Sequence, residues 1–283
     1  MVLRVVRLGV IGLAIVYAIG LGVIYAKQRD FIFDRQFSSV LARPGTVAIA
    51  GSTRVTIPTR DGEKLAGWYL PPSEKGGPVF LFFHGKGGAL ERKKWRWQRI
   101  AKKGAGILAF SYRGFPGSTG LPSEDGLYED ARAAYAWLSE KHKPSEIVLH
   151  GLSLGTGVAA KLATEVKARA LVLEAPYAAL VDVAAERHPY FPVSFLLWDQ
   201  FRTEEFIADI KVPLLIVHGD QDTAIPLDHA RKLFRLAPEP KKLVVMKGSD
   251  HNTLTRDGMY PRIWKFLENL AKSVGSSASA HKS

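Results

Sequence analysis

Ile147-Val148-Leu149-His150-Gly151-Leu152-Ser153-Leu154-Gly155 is the stretch of this 283-residue chain that decides its fold. A short, unbroken apolar run enters Gly-x-Ser-x-Gly, and a helical pattern over 154–167 follows. Strand, sharp turn and helix in that order hold a serine on a strained corner, its oxygen exposed at the end of a sheet. Side chains at Gly151 and Gly155 would collide with neighbouring backbone there, so both glycines meet a steric need. The helix beginning at Leu154 aims the positive end of its dipole at any oxyanion formed beside the serine. Ser153 is therefore the candidate nucleophile.

The same rhythm recurs on both sides. Apolar runs at Val79–Phe83, 106–111, 170–173, 213–217 and 242–246 alternate with helical stretches. One of these, 124–141, keeps Leu127, Ala131, Ala134, Tyr135 and Leu138 on one face. Ahead of them, 54–58 and Lys64–Leu70 alternate apolar and polar about Asp61-Gly62, a hairpin signal. Apolar strands without alternation require a parallel sheet covered on both faces. Repeated βα units make a three-layer α/β/α domain over 53–272, with its ligand crevice beyond the carboxyl ends of the strands. Residues 177–209 interrupt the rhythm. Their prolines 189 and 192 and aromatics Tyr190, Phe191, Phe195 and Trp198 suit a short lid over a pocket, or an ordinary surface connection with one amphipathic helix.

A serine hydroxyl needs a base to remove its proton. His84, His150 and His218 each end a strand just before a glycine and fit structural roles, bonding loop backbone. His251 lies on the loop between the last strand and the last helix, free to reach Ser153. In the loop after the strand at 213–217, Asp222 is placed to orient that imidazole. Asp220 fits a turn residue bonding its own backbone, and Asp228 the start of the next helix. The order Ser153, Asp222, His251, with gaps of 69 and 29 residues, is the order expected of this topology. His84-Gly85-Lys86-Gly87-Gly88 can aim backbone N–H groups at a carbonyl oxygen. The amides of Lys86 and Leu154 are the expected pair, and losing such a donor costs about 3 kcal/mol.

Together, His84-Gly85, Gly151-x-Ser153-x-Gly155, His218-Gly219-x-x-Asp222 and Asp250-His251 resemble the α/β-hydrolase superfamily. The loop Tyr112-Arg113-Gly114-Phe115-Pro116-Gly117-Ser118-Thr119-Gly120 resembles one branch of it: membrane-anchored serine hydrolases related to the bud-emergence homologue and ABHD-type proteins. The resemblance covers about 50–272 and implies an α/β-hydrolase fold with an eight-stranded, mostly parallel sheet, no cofactor, and cleavage of esters or thioesters. Lys86 departs from relatives that often carry a small or amide residue there, and adds a cation near the pocket mouth. A peptidase of the same fold and a non-catalytic binding module are the rival readings.

From Leu8 to Ala26 the chain runs nineteen residues without a charge, about 28 Å of helix, which matches a bilayer's hydrocarbon. A cleaved signal would have a shorter apolar region and a better small-x-small site. Residues 1–27 are thus expected to anchor the chain in a membrane, 28–52 to link, and 273–283 to form a disordered tail. Arg4 and Arg7 favour a cytoplasmic N-terminus and an outward-facing catalytic domain. A 47% hydrophobic, 23% charged composition supports a sizeable core, and the absence of cysteine excludes thiolate chemistry and disulfides. The net charge of +12 raises nucleic-acid binding, but the bases are scattered. The densest run, 92–99, fits a solvated helix face or contact with anionic headgroups. Membrane and a lipid-like or acylated small molecule are the expected partners.

Overall fold

The computed structural model describes residues 2–34, 50–87, 90 and 94–280, apart from the side chains of Lys94 and of 273–280. One eight-stranded sheet runs in the order β1-β2-β4-β3-β5-β6-β7-β8. β1 (Thr53–Pro58) and β2 (Lys64–Leu70) form the antiparallel hairpin read from Asp61-Gly62, and Gly62 takes the turn's positive φ of 93°. β2 is also antiparallel to β4 (Gly106–Phe110). The remaining strands, β3 (Val79–Phe83), β5 (Ile147–Leu152), β6 (Ala170–Glu174), β7 (Leu214–Gly219) and β8 (Lys241–Met246), pair in parallel with one another, and β4 pairs in parallel with β3.

The chain places β4 on one side of β3 and β5 on the other. Loops leaving β3 and β5 therefore diverge and open a crevice at their carboxyl ends. The Gly85-Lys86 turn and Ser153 both lie there.

Alternation along each strand feeds two separate cores. Val79, Leu81 and Phe83 pack with α3 (Glu124–Ser139), α4 (Leu154–Glu165) and α7 (Leu227–Leu236). Phe80 and Phe82 pack on the other face with α2 (Lys94–Ala101) and α8 (Met259–Ala280). The stripe Leu127, Ala131, Ala134 and Leu138 of α3 is buried as its spacing requires. Ser123 caps that helix, accepting the Gly126 N–H at 3.1 Å.

Three boundaries differ from expectation. Helix α1 (Val2–Ile32) does not stop at residue 27, and Phe33 beyond it is fully buried. No glycine or proline interrupts 27–32, and Gln28 and Arg29 find partners on the domain that reward the extra turn. The rest of the expected linker, 35–49, lies outside the described residues. Helix α8 continues to Ala280, so the disordered tail is corrected over 273–280, and 281–283 lie outside the described residues. Its first turns are fixed by packing, and each further residue adds one backbone hydrogen bond to a helix already nucleated. Between β6 and β7 the insertion holds two α-helices, α5 (Leu180–Arg187) and α6 (Val193–Leu196), where the surface-connection reading has one.

Candidate active site

Ser153 sits between β5 and α4 with φ 50° and ψ −119°, a conformation that side chains rarely adopt. The surrounding packing enforces it. A Cβ on Gly155 would fall on the Phe83 carbonyl oxygen, and one on Gly151 would come within 2.5 Å of the Gly155 carbonyl oxygen. Only glycine lets strand, corner and helix pack this closely. The Ser153 amide donates to the Glu174 carbonyl at 2.9 Å, which ties the corner to the end of β6.

The three side chains named from the sequence meet. His251 Nε2 lies 3.0 Å from Ser153 Oγ, and its Nδ1 lies 2.7 Å from Asp222 Oδ2. The other carboxylate oxygen, Asp222 Oδ1, accepts the Ala224 and Ile225 amides, each at 2.8 Å. His218 approaches Oδ2 at 3.3 Å and the Ile225 carbonyl at 2.8 Å with the same Nε2, which must therefore carry its hydrogen. Burial alone would raise the Asp222 pKa. The hydrogen bonds from His218 and His251, the His251 charge interaction and the Ile225 amide outweigh it and hold the carboxyl well below its ordinary value of 3.8. An ionised Asp222 can only accept, so His251 Nδ1 donates to it and Nε2 is left to accept from the serine hydroxyl.

The loop bearing His251 is braced by its own neighbours. Asp250 Oδ1 accepts the Asn252 and Thr253 amides at 2.7 and 3.0 Å. Asp220 does not bond its own backbone as expected: its Oδ1 accepts the Gly248 amide at 2.7 Å. It thereby joins the loop of the acid to that of the base.

Gly85 passes beside the corner, where an added Cβ would lie 3.4 Å from Ser153 Cβ. Among the described residues, neither the Lys86 nor the Leu154 amide donates to a protein acceptor. The Leu154 amide opens a helix and has no carbonyl a turn earlier to take it. The Lys86 side chain is exposed, and Gly88 lies outside the described residues. His84 is buried beneath this turn, donating from Nδ1 to the Gly85 carbonyl at 2.7 Å and accepting the Tyr112 amide on Nε2 at 3.3 Å.

Two supporting residues escaped the sequence reading. Glu174, at the end of β6, is fully buried and paired through both oxygens with Arg96 of α2, the Oε1 contact at 3.0 Å. Burial opposes both charges. Their mutual attraction prevails, lowering the Glu174 pKa to about 2 and raising that of Arg96. His150 joins them at 3.2 Å from Glu174 Oε2, so it bonds a carboxylate rather than loop backbone. Burial lowers its pKa and keeps it neutral. Arg96 is thus no part of a solvated face, whereas Arg99, one turn on, reaches the Thr255 carbonyl at 2.7 Å. Through these two arginines α2 holds both the serine's corner and the histidine's loop. A glutamate closing the apolar run 170–173 was the available signal, because a buried charge demands a partner.

Known proteins are similar to this chain in sequence and in fold. A family model for the alpha/beta hydrolase fold matches residues 78–192. An uncharacterized protein of Mycobacterium tuberculosis (strain H37Rv) is 36% identical over 230 residues, which span 80% of this chain and 81% of that protein. Lysophosphatidylserine lipase ABHD12 of Danio rerio is 31% identical over 201 residues, 64% of this chain and 52% of its own length. A solved alpha-beta hydrolase from Vibrio vulnificus superposes with a TM-score of 0.64 at 24% identity, covering 77% of this chain and 81% of that one. With its strand order, the corner at Ser153 and these relatives in agreement, the chain belongs to the α/β-hydrolase superfamily and is similar to its ABHD-type members.

Proposed function

We propose that this protein is a serine hydrolase, held at a membrane by α1, that cleaves carboxylic ester or thioester bonds of lipid-like or acylated substrates. The observation that carries the proposal is His251, bridging Ser153 Oγ at 3.0 Å and Asp222 Oδ2 at 2.7 Å. Neutral His251 takes the hydroxyl proton as Ser153 Oγ attacks the acyl carbon, and ionised Asp222 stabilises the imidazolium that forms. The Lys86 and Leu154 amides receive the oxyanion. His251 then gives its proton to the departing alcohol or thiol, leaving an ester on Ser153. Water, deprotonated by the same imidazole, adds to that ester and releases the acid and the free serine.

A lysophospholipid is the favoured substrate class, supported by a lipase among the relatives and by an apolar helix long enough to cross a membrane. Retention of that helix, rather than its removal as a signal, is supported by its bonds to the domain through Tyr17, Gln28 and Arg29. Turnover of p-nitrophenyl esters of graded chain length is the test. The wild type is expected to hydrolyse them, and Ser153→Ala to lose at least about 10⁴-fold in kcat. Faster turnover of aminoacyl-p-nitroanilides would instead identify a peptidase. Full ester activity in Ser153→Ala would end the proposal.

A further inference from the structure

The insertion lies along α1 in register with it. Tyr17 Oη donates to the Tyr190 carbonyl at 2.7 Å, and its ring stacks on Phe191 at 6.0 Å. Two turns further, Tyr25 meets Trp198 edge-on at 5.0 Å and accepts its indole N–H at 3.0 Å. One more turn brings Gln28 to the Leu196 carbonyl at 3.2 Å and the Trp198 amide at 2.7 Å. Arg29 pairs with Asp199 at 2.8 Å. At the base, Phe33 packs against Phe201 in the core.

Polarity falls off in the same direction on both partners. Along α1, charge gives way at Lys27 to the apolar run ending at Ala26. Along the insertion, Asp199 gives way to Pro189–Trp198, ten residues without a charge. Tyr17 lies ten residues inside Lys27, about 15 Å along the helix and so half of a 30 Å hydrocarbon layer. Tyr190 is level with it and 85% exposed, and Phe195, between Tyr190 and Trp198 in the chain, is 91% exposed. Trp198 and Tyr25 stand where interfacial aromatics belong.

From these matched gradients we infer that the tip of the insertion, residues 189–197, is immersed in the hydrocarbon of the bilayer beside α1. The inference rests on α1 spanning a membrane but not on the chemistry at Ser153. Backbone at that depth must satisfy its own polar groups, and much of this segment does. The amides of Phe191, Val193, Phe195, Leu196 and Leu197 donate within the insertion. The Trp198 amide and the Tyr190 and Leu196 carbonyls bond α1. Pro189 and Pro192 have no amide to satisfy. The apolar side chains that would be a liability in water thus face lipid, and the insertion enters the layer where lipid substrates reside.

The chain has no cysteine, so single nitroxide labels can be attached at Phe195→Cys, Ile11→Cys and Leu121→Cys in the full-length protein. Each is reconstituted in phosphatidylcholine vesicles, and collision with oxygen is compared with collision with a water-soluble nickel chelate. Ile11 reports the anchor, and Leu121, 71% exposed on the domain, reports water. Immersion is expected to make label 195 favour oxygen as label 11 does, with at least a tenfold lower nickel-to-oxygen ratio than label 121. A label at 195 that matches 121 while label 11 is immersed overturns the inference and leaves the anchor standing. If label 11 also matches 121, both fail. Near-UV circular dichroism of each labelled protein, measured alongside, reports whether it is folded.

Discussion

Ser153, Asp222 and His251 were legible because each follows a strand, and strand ends in such a sheet converge on one crevice. Arg96 and Glu174 were not, since two charges 78 residues apart leave no local pattern that pairs them. Their burial sets the expected cost of separating them. Glu174→Ala, which strands the Arg96 guanidinium, is expected to lower unfolding free energy by about 3–5 kcal/mol, and the double variant Arg96→Met, Glu174→Gln by less. Chemical unfolding in detergent measures both. Asp222 gives a pH signature. Its folded pKa is depressed below 3.8, so its stabilisation is complete above about pH 4 and fades as acid brings the pH down toward the folded value. The melting-temperature gap between wild type and Asp222→Asn is therefore expected to shrink as the pH falls below about 4.

At the scale of elements, apolar strands and the stripe of α3 were read correctly because burial on one or both faces writes directly into residue spacing. Helix ends were read poorly. Nothing at Lys27 or Lys272 stops a helix, and the partners that extend α1 lie about 170 residues away. The junction of β5 and α4 has the least tolerance. Gly155→Ala must push the Phe83 and His84 carbonyls aside, displacing the turn that carries Lys86. Ester kcat is expected to fall at least about tenfold, more than KM changes, because the donors displaced act on the transition state. An unchanged kcat would show that this close packing does not position the oxyanion donors.

Across the whole molecule, α1 and the α/β domain are joined through contacts at the end of the helix. Phe33, fully buried against Phe201, fixes the end of α1 to the core, and Phe33→Ala is expected to cost about 3–5 kcal/mol, read as a lowered melting temperature in detergent. None of this was visible in the sequence, where 28–52 reads as a linker, because the partners of Gln28, Arg29 and Phe33 lie about 170 residues away and leave no local pattern. The fold converges on the reactivity of one alcohol, which a fluorophosphonate probe reports directly. Mass spectrometry of the labelled full-length protein is expected to find one adduct, on the peptide containing Ser153, absent in Ser153→Ala and slowed at least a hundredfold in His251→Ala. A folded wild type that never reacts, or an adduct that persists in Ser153→Ala, would contradict an activated serine at this corner.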